Sequence, residues 1–279
     1  MKLYSINSGY FKLDGGAMFG VVPKSIWNRL NPADENNMCS WAMRLLLVDT
    51  GERKILIDNG IGDKQDKKFL GHFHLHGDDS IAKNLQKYGY QLSDITDNFL
   101  THLHFDHCGG GIIQKENGSY ASAFGENTRF LMSKGQWETA HNPNARENAS
   151  FMKENIAPME TEGELVLLPD EGSVCEGFTY KSCNGHTDSQ LIPHIKYKGH
   201  TVVFTADLLP SPHHIKLPYI MAYDIRPLDS MKEKEAFLEE AVDQKYVLFF
   251  EHDPKIECAT LKRSGKRIVV DETFELKDL

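Results

Sequence analysis

The stretch THLHFDHCGG, from Thr101 to Gly110, is the most informative part of this sequence. It places His102, His104, Asp106 and His107 within six positions, directly after an apolar segment. Side chains alternate along an extended chain, so His102 and His104 are expected to project to the same side and to reach one ion. A turn after them would let Asp106 and His107 face a second ion, with the following glycines permitting a tight turn. One short segment therefore supplies half of the ligands for two adjacent metal ions.

The ligand types indicate which ions could bind. Imidazole and carboxylate without thiolate favour zinc, with iron, manganese and cobalt left open. A purely structural zinc site is disfavoured, because such sites are usually rich in cysteine and hold one ion. A second histidine-rich stretch, GHFHLHG, carries His72, His74 and His76 without a neighbouring carboxylate. We expect those three histidines to be exposed to solvent or to lie at the lip of a pocket.

Composition and charge restrict the function further. The 279 residues are 40% hydrophobic and 25% charged, without repeats or linkers, which predicts one globular domain over residues 1–279. A net charge of -9 argues against a general nucleic-acid partner, which needs clustered basic residues. No apolar stretch approaches the roughly 20 residues that span a bilayer, and the first residues lack a signal-peptide pattern. We therefore expect a soluble, cytoplasmic protein without a membrane partner, whose five scattered cysteines stay reduced.

Short apolar runs bounded by glycines alternate with helical patterns along the whole chain. A helix is predicted from Ser80 to Tyr88, and a longer one from Met231 to Gln244, where Ser230 and Glu233 match a capping box. Interleaved strands and helices favour a layered α/β sandwich. The candidate strands are residues 43–49, 54–58, 98–102, 178–183, 191–197, 201–205 and 246–250.

The signature at residues 102–107 resembles HxHxDH of the metallo-β-lactamase superfamily. Further ligands in that family follow in contexts that this chain also carries: His186 in Gly-His-Thr, Asp207 at the end of VVFTAD, and His252 after YVLFFE. The resemblance covers nearly the whole chain and implies a four-layer αβ/βα sandwich. It also implies that Asp58, in the segment LIDNG, supports the ligands without being one.

Carried over position by position, the resemblance implies two divalent cations, with zinc as the leading candidate. The first ion would be held by His102, His104 and His186, the second by Asp106, His107 and His252, with Asp207 bridging both.

Two positions narrow the reaction class. Asp207 stands where some antibiotic-hydrolysing members carry a cysteine ligand, and His104 stands where flavodiiron proteins carry a glutamate. The resemblance therefore points to a hydrolase that is neither a β-lactamase of that type nor an oxygen reductase.

The segments Gly16–Asn28 and Asp207–Ile215 resemble those of quorum-quenching N-acyl homoserine lactonases and their organophosphate-cleaving relatives. The implied substrate is a small ester or lactone, attacked by a hydroxide held between the ions, with Asp106 shuttling the proton. One lactonase pattern has a tyrosine where this chain has Pro210. Tyr223, Tyr219 or His213 would then contact substrate, although ordinary packing explains the tyrosines equally well.

Other interpretations remain open at this stage. A phosphotriesterase or phosphoesterase would use the same ligands, as would a thioester hydrolase of the glyoxalase II kind, although the short, strand-like tail after His252 disfavours the latter. A metal-binding protein without turnover is the third alternative. The apolar residues of the segment from Gly15 to Ser40 would line either an acyl-chain groove or a homodimer interface: Phe19, Val21, Val22, Ile26 and Trp27.

Overall fold

The computed structural model describes all 279 residues, and their contacts divide the chain into two units. The first unit contains Met1–Tyr10 and Met43–Gly172, and the second contains Phe11–Ala42 and Ser173–Leu279. The prediction of one domain over residues 1–279 is not decided by this division and stays a prediction.

Fifteen strands form three sheets. In chain order they are β1 (Lys2–Asp14), β2 (Met38–Asp49), β3 (Lys54–Ile57), β4 (Asp97–Phe99), β5 (Ile112–Gln114), β6 (Tyr120–Ser122), β7 (Arg129–Ser133), β8 (Glu164–Leu168), β9 (Glu171–Cys175), β10 (Phe178–Cys183), β11 (Gln190–Tyr197), β12 (His200–Phe204), β13 (Val247–Phe249), β14 (Cys258–Ser264) and β15 (Arg267–Phe274).

Eight α-helices are interspersed with these strands, as the interleaved pattern of the sequence predicts. They are α1 (Gly15–Phe19), α2 (Lys24–Trp27), α3 (Lys67–Phe73), α4 (Ile81–Lys87), α5 (Phe105–Cys108), α6 (Lys134–His141), α7 (Lys153–Ile156) and α8 (Pro227–Asp243). None of them has the length and apolar character that crossing a membrane requires.

The larger sheet of the first unit has the strand order β1-β2-β3-β4-β7-β8. Its strands β3, β4, β7 and β8 are parallel neighbours, and Ile57 of β3 lies opposite Phe99 of β4. Parallel strands that end together deliver their following residues to one edge of the sheet. Asp58 and the segment that begins at Leu100 therefore leave the sheet side by side.

The second unit contains a seven-stranded sheet with the order β15-β14-β13-β12-β11-β10-β9. Its parallel pair is β12 and β13, in which Phe204 lies opposite Phe249. The residues that follow these two strands, Asp207 and His252, are thereby brought to the same edge. The predicted strand 178–183 matches β10, whereas the predicted strand 98–102 is too long, because β4 ends at Phe99.

The two predicted helices are present, but one of them begins earlier than expected. Ser80 caps α4 by accepting a hydrogen bond from the backbone N–H of Lys83. The predicted capping box at Ser230 is wrong, because α8 already begins at Pro227. Proline suits a first helical position, where its missing N–H costs no intrahelical hydrogen bond. Ser230 lies inside the helix, and its hydroxyl donates to the carbonyl of Arg226.

Candidate metal centre

The signature residues lie at the edge where β3 and β4 end. The chain leaves β4 at Phe99, and His104 precedes the short helix α5, which carries Asp106 and His107. His102 and His104 therefore both lie in the loop that follows the strand and not in the strand itself. They nevertheless come together, with ring centroids 4.6 Å apart, and the rings of His102 and His107 are 3.9 Å apart.

Asp58 contacts one of these rings directly and reaches a second through Thr101, whereas its role as a support without being a ligand stays a prediction. Its Oδ2 accepts a hydrogen bond from Nδ1 of His107 at 3.1 Å and another from the Thr101 hydroxyl at 2.7 Å. Thr101 in turn lies 3.0 Å from Nδ1 of His102. Because Nδ1 of each ring is engaged in this way, Nε2 is the nitrogen directed toward a ligand. All of these side chains are buried.

The ring of His104 is held through Nε2, whereas the other rings are held through Nδ1. Its Nε2 lies 3.4 Å from Oε1 of Glu147, a buried residue that the sequence analysis did not identify. Nδ1 is therefore the nitrogen on the opposite side of this ring. The carboxylate of Asp106 completes the cluster, with Oδ2 placed 3.7 Å from Nε2 of His107.

The glycines after the signature are required by close packing of the backbone. A Cβ atom at Gly109 would lie 2.1 Å from the carbonyl oxygen of Ile61, and one at Gly110 would lie 2.2 Å from that of Asn59. In the same region the backbone N–H of Asn59 donates to the carbonyl of His107 at 2.8 Å. The loop after β3 thus packs closely against α5, which carries two candidate ligands, and is hydrogen-bonded to it. These contacts fix the position of His107.

A second cluster of predicted ligands is built within the second unit. Oδ2 of Asp207 lies 3.1 Å from Nε2 of His186, and Oδ1 of the same carboxylate lies 3.1 Å from Nε2 of His252. The opposite nitrogen of each ring is again held: Nδ1 of His186 donates to Asp224 at 2.9 Å, and Nδ1 of His252 donates to the carbonyl of Ala42 at 2.8 Å. Each oxygen of Asp207 therefore faces one histidine.

The electrostatics of this second cluster favour a cation. Burial alone would lower the pKa of His186, but the carboxylates of Asp207 and Asp224 outweigh burial and raise that pKa to about 10. A buried imidazole between two carboxylates is thus stabilised in its positive form. The same arrangement would stabilise a metal cation bound at Nε2.

The loop that carries His186 is held by α8. Glu233 accepts hydrogen bonds from the backbone N–H groups of Asn184 at 2.7 Å and Gly185 at 2.9 Å. Gly185 also packs so closely against Ser230 that a Cβ atom would lie 2.3 Å from its backbone nitrogen. Glu233 and Ser230, which the sequence suggested as a helix cap, instead position the Gly-His-Thr segment.

Three phenylalanines form an aromatic surface beside the signature. Phe69 and Phe73 lie four residues apart on α3, and Phe105 lies between His104 and Asp106. Their ring centroids are 4.7 to 5.3 Å apart, and all three side chains are partly exposed. The sequence analysis missed this trio, although the spacing of Phe69 and Phe73 is that of one helix face.

The predicted substrate-contacting residues lie in the second unit. Tyr223 is 39% exposed, and His213 is partly exposed with Nε2 at 3.9 Å from Oδ2 of Asp253. Tyr219 is buried, and its ring packs edge-on against Phe19. Packing therefore accounts for Tyr219, whereas contact of Tyr223 and His213 with a substrate stays a prediction.

The apolar segment from Gly15 to Ser40 divides into buried and exposed residues. Phe19 and Trp27 are buried and stacked with ring centroids 5.6 Å apart, and Phe19 also stacks on His214. These two rings belong to the core of the second unit, which excludes the acyl-groove and dimer roles predicted for them. Val21 and Ile26 are exposed and leave both alternatives open.

Both clusters fit divalent cations. Tetrahedral zinc bound to nitrogen and oxygen at about 2.0 to 2.2 Å places neighbouring ligand atoms a little over 3 Å apart. The spacings of 3.1 Å around Asp207 agree with this geometry, and the donors are imidazole and carboxylate throughout. Rings fixed through their second nitrogen are characteristic of metal-binding histidines.

The chain has an α/β fold with buried histidine–aspartate clusters at the ends of parallel strands. These features define a metal-dependent hydrolase. The chain belongs to the metallo-β-lactamase superfamily, whose family model matches residues 45–252. The predicted α/β fold of the metallo-β-lactamase type is thereby confirmed.

Several characterised proteins are similar to this chain. An N-acyl homoserine lactonase from a Bacillus species is 25% identical over 266 residues, covering 90% of this chain and 93% of that relative. The crystal structure of a probable metal-dependent hydrolase from Staphylococcus aureus has a TM-score of 0.87 and 29% identity, covering 98% of both chains. A dizinc quorum-quenching lactonase solved with a product shares the fold, with a TM-score of 0.76, 20% identity, and coverage of 98% of this chain and 94% of that one.

Proposed function

We propose that residues 1–279 form one binuclear hydrolase domain that opens lactone esters, such as N-acyl homoserine lactones. The observation that carries the proposal is the carboxylate of Asp207, whose two oxygens each lie 3.1 Å from the Nε2 of a different, separately anchored histidine. This is the arrangement expected of a carboxylate shared by two ions. The similarity to a lactonase over 266 residues supports the substrate class.

The proposed ligands are those that the family pattern implies. His102, His104 and His186 would hold one ion, Asp106, His107 and His252 would hold the other, and Asp207 would bind both. The supporting contacts are those to the second nitrogens of the rings, from Asp58, Glu147 and Asp224 among others. Zinc is the proposed metal, because the donor set contains imidazole and carboxylate and no thiolate.

When bound, two such ions lower the pKa of water and polarise a carbonyl group. Opening of the lactone forms a bond between the carbonyl carbon and a water oxygen, breaks the bond to the ring oxygen, and moves one proton from water to that oxygen. We assign the proton transfer to Asp106, whose Oδ2 lies 3.7 Å from Nε2 of His107. Its carboxylate can accept the proton from water and deliver it to the leaving alkoxide.

The acyl chain of the proposed substrate requires an apolar surface. The trio of Phe69, Phe73 and Phe105 supplies one, because its rings are partly exposed and Phe105 lies within the signature itself. Burying apolar area on these rings would add about 25 cal/mol for each square ångström. Tyr223 and His213 are proposed to contact the polar part of the substrate. The cytoplasmic location and the homodimer stay predictions.

The proposal is tested by elemental analysis of the purified protein together with a pH-stat assay. Substrates are acyl homoserine lactones, simple lactones, thioesters and phosphotriesters. We expect about two equivalents of zinc and the highest kcat/KM on an acyl lactone. Asp207→Ala should lose metal and activity together, whereas His72→Ala, from the exposed histidine-rich stretch, should keep both.

If phosphotriesters or thioesters were hydrolysed fastest, the proposed substrate class would be wrong, whereas the proposed metal site would stand. Full activity of a metal-free protein in chelator would contradict the whole proposal.

A further inference from the structure

A buried lysine lies on the inner face of α8. Lys234 is 1% exposed, and its Nζ donates hydrogen bonds to three backbone carbonyls: His214 at 3.0 Å, Lys216 at 3.1 Å and Tyr219 at 2.8 Å. An ammonium group has three N–H donors, so all of them are used. Burial lowers the pKa of Lys234 to about 7, and the negative charge of Asp224 opposes that shift. Burying an ammonium group is costly, so this side chain serves to hold the backbone that surrounds it.

The backbone that Lys234 holds is an irregular segment, residues 208–224. A 3₁₀ turn at Pro212–Ile215 follows the one that ends at Leu208, and the segment contains neither strand nor α-helix. Asp207 immediately precedes it, and Asp224 is its last residue. The segment thus begins next to a proposed metal ligand and ends with the carboxylate that holds Nδ1 of His186.

Backbone hydrogen bonds hold both ends of this segment: the N–H of His252 donates to the carbonyl of Pro210 at 3.2 Å, and the N–H of Ile225, directly after the segment, donates to the carbonyl of His186 at 3.1 Å. Near its middle, Nε2 of His214 donates to the carbonyl of Met18 at 2.9 Å, and close to its end the N–H of Ala222 donates to the carbonyl of Ala17 at 2.7 Å. The three carbonyls bound by Lys234 lie between these two attachments. Without the ammonium group, buried carbonyls would lose their donors, which favours rearrangement of the segment.

We propose that Lys234 is a positioning residue for the metal centre: by holding the carbonyls of His214, Lys216 and Tyr219 it keeps Asp224 against His186. The inference rests on the proposed function in so far as His186 binds an ion. Lys234 is neither a proposed ligand nor a hydrogen-bond partner of one. It contributes to the affinity for metal through the segment that it holds. Loss of a group that orients a metal ligand typically weakens metal binding about 10- to 100-fold.

The test is a double-mutant cycle on the full-length protein, with zinc affinity measured by competition with a chromophoric chelator. Lys234→Met and Asp224→Asn should each weaken zinc binding about 10-fold or more. The double variant should bind zinc about as weakly as Asp224→Asn alone, because Lys234 acts through Asp224. Lys232→Met is the matched control, since Lys232 lies on the exposed face of the same helix and should leave zinc affinity unchanged.

Hydrogen–deuterium exchange of the metal-free proteins provides a second measurement. Lys234→Met should accelerate exchange in residues 214–224 while β10, β11 and β12 stay protected, which separates a local release from general destabilisation. If Lys234→Met fails to fold, Lys234→Gln, which retains two N–H donors, takes its place in both measurements.

The inference is overturned if Lys234→Met leaves zinc affinity unchanged. It is also overturned if the losses of zinc affinity in Lys234→Met and Asp224→Asn add in full in the double variant. Unchanged exchange in residues 214–224 would overturn it as well. A wild-type protein that binds no zinc would contradict the proposed function, and the exchange experiment would then still decide whether Lys234 holds the segment.

Discussion

His214 is a buried histidine whose neutral form stabilises the folded protein. The ring is 1% exposed, its Nε2 donates to the carbonyl of Met18 at 2.9 Å, and its Nδ1 accepts from the hydroxyl of Ser211 at 2.8 Å. Both nitrogens are therefore satisfied without an added proton. Burial lowers the pKa of His214 from 6.5 to about 3, although the hydrogen bond to Met18 opposes the shift.

The lowered pKa of His214 determines in which direction, and by how much, the free energy of unfolding changes with pH. Between pH 6.5 and 3 the unfolded chain binds a proton at this position and the folded protein does not, so acid favours unfolding. The contribution of His214 is fully present above pH 6.5 and is lost as the pH falls toward 3. At about 1.4 kcal/mol for each pKa unit, the total is about 5 kcal/mol, of which about 2 kcal/mol is lost between pH 7.5 and 5.

The assay is urea unfolding of wild type and His214→Gln at pH 7.5 and 5.0, with the free energy of unfolding taken from linear extrapolation. The glutamine amide can donate to Met18 and carries no titrating group in this range. The variant should be less stable at pH 7.5, but its loss on acidification should be about 2 kcal/mol smaller than that of wild type. Both proteins are measured metal-free, in chelator, so that release of metal at low pH does not enter the difference.

His200→Gln is the control, because His200 is exposed and should leave the pH dependence of wild type unchanged. Equal losses in wild type and His214→Gln would refute the reasoning, since His214 would then not be the group that resists protonation.

Three further predictions concern the carboxylate beside His107, the aromatic trio and a buried ion pair of β4. Asp58→Ala should weaken zinc binding about 10- to 100-fold, measured by chelator competition, because His107 loses the carboxylate that orients it; Asp58→Asn should lose less. Phe105→Ala should lower kcat/KM for long-chain acyl lactones more than for short-chain ones, and an equal loss on both would contradict an acyl contact. Asp97→Ala should lower the free energy of unfolding by about 3 kcal/mol in urea titrations, because its buried carboxylate accepts from Arg53 at 2.8 Å.

The sequence predicted best those features that depend on short segments. Periodicity located β10 with both of its ends, and a serine followed by an apolar helical pattern located the start of α4. The ends of β4 and α8 were misjudged for a physical reason. The pairing of β4 with its neighbours ends at Phe99, which the residue types of 98–102 do not reveal, and Pro227 begins a helix in which Ser230 is an interior residue.

The groups that orient the candidate ligands were harder to predict, because they are distant along the chain. Asp224 is 38 residues from His186, and Glu147 is 43 residues from His104. Neither belongs to a recognisable motif, and only the tertiary fold decides which carboxylate meets which ring nitrogen. Lys234 illustrates the same limit, since a lysine in an amphipathic helix is normally assigned to solvent.

The glycines that follow α5 and the phenylalanines beside it differ in how much substitution they tolerate, which affects how this scaffold changes over evolution. At Gly109 and Gly110 any larger residue would push apart the backbone that supports His107, so variation is closed there. Phe105 and its neighbours on α3 contact one another but are only partly enclosed. Substitutions at these rings can therefore accumulate one at a time, while the backbone around the candidate ligands stays unchanged.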